Sequence, residues 1–207
     1  MQDASPALSA RSLACRRGDR LLFRGLDLAL GPGEALHVTG ANGSGKTTLI
    51  RALAGLTRPF AGTIENTGAL GLLDERAALD PDLALGEAMR FWDRIDQYER
   101  RDTGPDNDAI GMLGLDGLRD VPVRYLSTGQ RKRAAMAVLI GRDAAIWLLD
   151  EPLSGLDAAG IDLMIDRVAD HLARGRIALI ASHQPLAIRG LKSLAIADYT
   201  PAAGHVA

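Results

Sequence analysis

The sequence predicts an α/β fold: a mainly parallel sheet with helices on both faces, preceded by a small antiparallel β section and interrupted by an inserted helical section. Three observations predict it. Gly40-Ala41-Asn42-Gly43-Ser44-Gly45-Lys46-Thr47-Thr48 fits the phosphate-binding pattern G-x-x-x-x-G-K-[ST], and lies between a strand-like stretch (Glu34–Thr39) and a helix-like one (Thr48–Ala54). Ala144–Glu151 and Arg176–Ser182 are apolar runs of the kind buried on both faces of a parallel sheet, with a helical stretch, Ala158–Arg174, between them. From about residue 74 to 142 the pattern is helical and loop-rich, without a convincing strand.

Taken in order, Leu8–Cys15 and Leu26–Leu30 place apolar residues at or near a spacing of two, as half-buried strands do. Arg17-Gly18-Asp19 and Gly31-Pro32-Gly33 punctuate them as turns. This opening predicts an antiparallel sheet leading into the strand before the glycine loop. Gly55 closes the first helix, Arg58-Pro59 and Gly62 break the chain, and short strands follow at Thr63–Glu65 and Ala69–Leu73. Leu85–Tyr98 carries Ala88, Met89, Phe91, Trp92 and Ile95 on one helical face. Thr103–Asn107 reads as a loop and Asp108–Leu113 as a short helix ended by Gly114. The expectation is one domain over all 207 residues, its core at about 8–73 and 143–200 and its helical subdomain at about 74–142.

The formal charge of −2 gives no sign of a nucleic-acid-binding protein. Cys15 is the only cysteine, which excludes an internal disulfide and a cysteine-cluster metal site and fits a reducing compartment. Met1–Pro6 lacks the basic, then apolar, pattern of a secretory signal. No apolar run approaches the roughly 18 residues of a membrane span, so a membrane role would come through a partner. No C-x-x-C-H and no His, Met and Cys cluster is present, so direct haem binding is not expected.

A strand, a glycine loop and a helix in succession aim backbone N–H groups and the positive end of a helix dipole at a phosphate. Lys46 would reach the β- and γ-phosphates of a nucleotide, and the Thr47 hydroxyl would hold Mg²⁺. Asp150 and Glu151 stand where a parallel strand delivers its end to a ligand crevice. Asp150 would serve the metal side, and Glu151 would act as general base or water-positioning group, the chain turning at Pro152 so that both face one site. Leu126-Ser127-Thr128-Gly129-Gln130 opens a helix and allows two readings: a Ser127/Gln130 capping box, or a second helix N-terminus that faces a phosphate.

Taken together, these stretches resemble the ATP-binding cassette (ABC) ATPases, a phosphate-loop NTPase family. The match runs over roughly Leu8 to Ala197, with the phosphate loop at Gly40–Thr47, the signature sequence at Leu126–Gln130 and the acidic strand end at Asp150-Glu151. The D-loop falls on Ser154-Gly155-Leu156-Asp157, and a switch histidine, His183, follows Ile180-Ala181-Ser182. The resemblance implies a head-to-tail homodimer, with each ATP between one phosphate loop and the partner's signature sequence, and His183 at the γ-phosphate. His37, His171 and His205 have no such register and read as incidental.

Two departures accompany the match. The family's adenine-stacking aromatic is absent, since the first aromatic is Phe23; Arg17 stands near its place, either as a cation–π partner of the base or as a solvated turn residue. The glutamine that usually leads into the helical subdomain is also missing, and at Leu72-Leu73-Asp74-Glu75-Arg76 either Glu75 or Arg76 stands in or the contact is lost. Within the family, Cys15–Leu26, Leu53–Gly62 and Ser182-His183-Gln184 are similar to the ATP-binding subunits of bacterial haem exporters of cytochrome c biogenesis. That resemblance implies integral membrane partners docked on 74–142 and a peripheral position on the cytoplasmic side of the inner membrane. Another transporter, a soluble ATPase of iron–sulfur assembly and a nucleotide-dependent dimerisation switch stand as alternatives.

Overall fold

The computed structural model describes residues 5–74, 78–99 and 109–201. The chain opens with β1 (Ala7–Arg17) and β2 (Arg20–Leu30), an antiparallel hairpin turning through Gly18-Asp19. β3 (Ala35–Thr39) then leads into the glycine loop and α1 (Lys46–Leu53), followed by β4 (Ala61–Thr67) and β5 (Leu70–Leu73). Next come α2 (Leu85–Glu99), α3 (Ala109–Met112), two 3₁₀ turns and α4 (Thr128–Gly141). β6 (Ile146–Asp150), α5 (Ala158–Ala173), β7 (Ile177–Ala181) and β8 (Lys192–Ala195) complete the framework.

β1 and β4 pair antiparallel, so one sheet runs β2-β1-β4. The other runs β5-β6-β7-β3-β8 with every pair parallel. Its central strands are buried on both faces, and the period of two divides them between two cores. Ile146 and Leu148 of β6 join β1, β2 and α1 in one cluster, while Trp147 and Leu149 join α2, α3, α4 and α5 in the other. The parallel sheet is thus the middle layer, with the antiparallel sheet and α1 on one side and the remaining helices on the other.

The strands of the first sheet are longer than the alternation suggests. β1 carries register shifts on either side of Leu13, and Ser12 takes a left-handed conformation (φ 47°) while its N–H donates to Asp27 Oδ1 at 2.7 Å. Leu22 and Phe23 are both buried, which hides the period of two at the start of β2. Gly62 (φ +88°) fits under this irregularity because a Cβ there would lie 2.5 Å from Arg11 O and 2.6 Å from Ser12 O. Sequence reading missed β8, whose four residues are too short and too exposed to show a pattern; it adds an edge strand beside β3. The predicted loop Thr103–Asn107 lies outside the described residues.

Candidate active site

Parallel register brings the C-terminal ends of β6, β7 and β3 side by side, and the residues that follow them form the candidate site. After β3, Gly40, Gly43 and Gly45 take φ values of 154°, 76° and 111°, so the loop curls over the start of α1. At Gly40 a Cβ would lie 2.7 Å from Ile196 Cγ2 and 2.8 Å from Ser44 Oγ, and at Gly45 it would come within 3.2 Å of the Phe23 ring. Lys46 is buried; its Nζ donates to Gly40 O (2.7 Å) and Ala41 O (3.3 Å) and lies 3.6 Å from Glu151 Oε1.

After β6 the chain turns at Glu151 itself, one residue earlier than Pro152. Glu151 adopts φ 46° while its N–H still donates to Ala181 O at 2.8 Å. That left-handed turn swings its side chain away from the strand and towards His183, whose Nδ1 lies 2.9 Å from Glu151 Oε2. His183 follows β7, where Ser182 is fully buried. His37 Nε2 donates to Ser182 O (3.1 Å), and Gln184 N–H donates to Ser182 Oγ (3.0 Å). His37 therefore ties β3 to the end of β7 and fixes the His183 turn, a structural role that sequence reading missed. His171 is also structural, stacked on Trp147 in the other core. His205 lies outside the described residues.

Asp150 is buried at the end of β6. Burial raises its pKa, against which a hydrogen bond with the Thr47 side chain pulls it down; neighbouring Asp74 and Glu151 raise it further. Its Oδ1 is buried without a hydrogen-bond partner, as is Ser44 Oγ in the loop. Buried oxygens are normally satisfied, and a hard divalent cation and phosphate oxygens would complete these two. The donor set of Thr47 hydroxyl, Asp150 carboxylate and Ser44 hydroxyl is all oxygen, which suits Mg²⁺.

The structure gathers Gly40–Thr48, Asp150, Glu151 and His183 at one edge. It sets Leu126–Gln130 apart: among the described residues no hydrogen bond or ion pair joins that stretch to the loop. There Ser127 caps α4, accepting from Gln130 N–H at 3.1 Å, while Gln130 Oε1 accepts from Ser127 N–H at 2.7 Å. A Cβ on Gly129 would lie 2.9 Å from Gly155 O, and one on Gly155 would lie 2.8 Å from Thr128 Cγ2. Leu126–Gln130 and Ser154–Asp157 thus form one packed surface, and Asp157 Oδ1 caps α5 by accepting from Gly160 N–H at 2.9 Å. Arg17 is exposed at the end of β1. Glu75 and Arg76 lie outside the described residues.

A phosphate loop, an acidic strand end and a switch-like histidine on one parallel sheet define the ATP-binding cassette class. The chain belongs to the ABC transporter family, whose model matches residues 23–154, and is an ATPase of that family. It is 55% identical to the cytochrome c biogenesis ATP-binding export protein CcmA of Novosphingobium aromaticivorans, over 94% of this chain and 97% of that protein. The protein of the same description from Zymomonas mobilis is 44% identical over 96% of this chain and 88% of its own length. Among solved structures, a dimeric ATP-binding cassette in a post-hydrolysis state with ADP and phosphate superposes with a TM-score of 0.74. It covers 86% of this chain and 88% of its own at 18% identity, a likeness of fold.

Proposed function

We propose that this chain is the ATP-hydrolysing subunit of a haem exporter of cytochrome c maturation, working as a head-to-tail homodimer on the cytoplasmic side of the inner membrane. One observation carries the hydrolytic reading: Glu151 is held between Lys46 and His183 at the mouth of the glycine loop. The relatives named as cytochrome c biogenesis export proteins support the biological setting.

In this reading Gly40–Thr48 wraps the phosphates of ATP, and Lys46 exchanges its carbonyl partners for phosphate oxygens. Thr47 and Asp150 would hold Mg²⁺, which when bound would supply neutralisation of phosphate charge. Glu151 positions the attacking water and accepts its proton, and His183 holds Glu151 in place and approaches the γ-phosphate. Arg17 lies against the adenine, its guanidinium in place of an aromatic ring. Leu126–Gln130 and Ser154–Asp157, packed on each other, face the partner's ATP.

The membrane subunits dock on the segment 74–142. Phe91, Met112 and Tyr125 are exposed there, and a surface cavity of about 420 Å³ opens between α2 and α3, lined by Glu87, Arg90 and Arg119 among others. No helix among the described residues is long and apolar enough to cross a membrane, which suits a subunit recruited by others.

Two measurements test the proposal. In Glu151→Gln, ATP hydrolysis should fall at least about 100-fold while ATP holds the protein as a dimer in gel filtration. Full turnover in that variant would remove Glu151 from the chemistry. Deletion of the gene should abolish haem staining of periplasmic c-type cytochromes, and normal staining would exclude the haem assignment.

A further inference from the structure

The outer face of the antiparallel sheet carries arginines around exposed apolar side chains. Cys15 and Phe23 stand opposite each other in the β1–β2 register, and both are buried. Side chains alternate along a strand, so the next residues, Arg16 and Arg24, leave on the outer face, where both are exposed. The connection from α1 to β4 runs beside them. Phe60 N–H donates to Ala14 O at 2.8 Å, and the Arg16 guanidinium lies 5.1 Å from the centre of the Phe60 ring. Phe60 is 58% exposed, and Leu56, 64% exposed, lies on the same connection together with the exposed Arg58. No ion pair among the described residues takes up Arg16, Arg24 or Arg58. From Leu13 to Leu26 the hairpin holds four arginines against one acid, Asp19, in a chain whose formal charge is −2.

We infer that this face binds an acidic segment of a partner protein, with its carboxylates on Arg16, Arg24 and Arg58 and an aliphatic side chain against Phe60 and Leu56. Apolar contact among charges is the make-up of a protein-docking surface, the apolar part giving affinity and the charges selecting the partner. A guanidinium can rest on a ring and still offer its edge donors to a carboxylate, so the Arg16–Phe60 pair presents both kinds of contact at once. The face is clear of the surfaces given other roles above. α2, α3 and α4 pack across the parallel sheet from it, and the nucleotide site lies at the ends of β3, β6 and β7. A bilayer would lie on the side of the membrane subunits, across that sheet. Size disfavours a nucleic acid: with screening over about 8 Å, a short segment senses the patch alone. A long polyanion would also meet the stretch Asp74–Asp120, where acids outnumber arginines.

The probe is a fluorescent peptide of glutamates interspersed with leucines, titrated with the full chain at about 0.15 M salt and followed by anisotropy. It should bind, and its Kd should rise at least about fivefold when Arg16→Gln, Arg24→Gln and Arg58→Gln are combined. Phe60→Ser alone should weaken it about threefold or more. ATP hydrolysis should stay within about twofold of the unmodified protein in both variants, which separates loss of docking from loss of fold. A peptide with lysine in place of glutamate tests the charge preference without any variant and should not bind. The inference is overturned if the unmodified protein does not bind the glutamate peptide, if the triple variant binds it undiminished, or if the lysine peptide binds as tightly. Equal or tighter binding of a fluorescent oligouridylate, or of phosphatidylglycerol vesicles, also overturns it, because the face would then recognise a nucleic acid or a lipid surface.

Discussion

His171 makes the stability of this protein depend on pH, and the size of the effect follows from its surroundings. The ring stacks on Trp147 with centroids 3.6 Å apart and planes 15° apart, and Nε2 donates to Ile177 O at 3.1 Å. It is buried, and that burial lowers its pKa from 6.5 to about 4. The folded protein therefore keeps His171 neutral in a range where the unfolded chain takes up a proton. Stability is full above pH 6.5, falls as pH drops, and levels off below about 4. At about 1.36 kcal/mol per unit, the full loss is about 3 kcal/mol, of which about 2 kcal/mol is reached near pH 5. His171→Phe keeps the stack but cannot titrate. It gives up the hydrogen bond to Ile177, a constant offset of about 1 kcal/mol at every pH. Urea unfolding followed by far-UV circular dichroism, at about pH 7.5 and about pH 5, should show a loss about 2 kcal/mol smaller in the variant. Other titrating groups are common to both proteins and cancel in the difference. Equal losses would refute the claim that the core holds His171 neutral.

Gly62→Ala should destabilise by more than about 2 kcal/mol in urea unfolding, because its Cβ would meet the carbonyls of Arg11 and Ser12 and its φ is +88°. A loss under about 0.5 kcal/mol would mean that the β1 irregularity yields freely. Ser127→Ala removes the side-chain half of the α4 capping box and should cost about 1 kcal/mol, read as a lower thermal midpoint. On the proposed dimer it should also weaken ATP-dependent association, and unchanged association would take the Ser127 hydroxyl out of the interface.

The sequence made the parallel layer and the loop legible for a physical reason: strands buried on both faces must be continuously apolar, as Trp147-Leu148-Leu149 and Ile177–Ala181 are, and a phosphate loop needs its glycines at fixed places. The Ser127 cap was equally visible, since a capping box is local chemistry. What stayed hidden was non-local. His37 has no motif around it, yet it bonds to Ser182 across a strand pairing between residues 145 apart in the chain. Asp74 stood in plain view at the end of a short strand, and only the β5–β6 register placed it beside Asp150, whose pKa it raises. The early turn at Glu151 escaped because Pro152, the usual punctuation, drew attention one residue too far.

That turn carries the last prediction. Glu151 is one of three non-glycine residues with positive φ among the described residues, and it lies at the centre of the proposed chemistry. A left-handed conformation costs a residue with a Cβ roughly 1–2 kcal/mol, a strain that glycine escapes. Against it stand the contacts with His183 at 2.9 Å and Lys46 at 3.6 Å. His183 is more than half exposed, so its contact is worth about 0–1 kcal/mol; Lys46 is buried but keeps Gly40 O and Ala41 O as acceptors when Glu151 is removed, so losing the two contacts does not outweigh the strain. Glu151→Gly should therefore be at least as stable as the unmodified protein in urea unfolding, while its ATP hydrolysis is lost. A variant more than about 1 kcal/mol less stable would show that the side-chain contacts hold the turn in place. A stable, inactive variant would mean that the fold tolerates strain at Glu151 for the sake of where it puts the carboxylate.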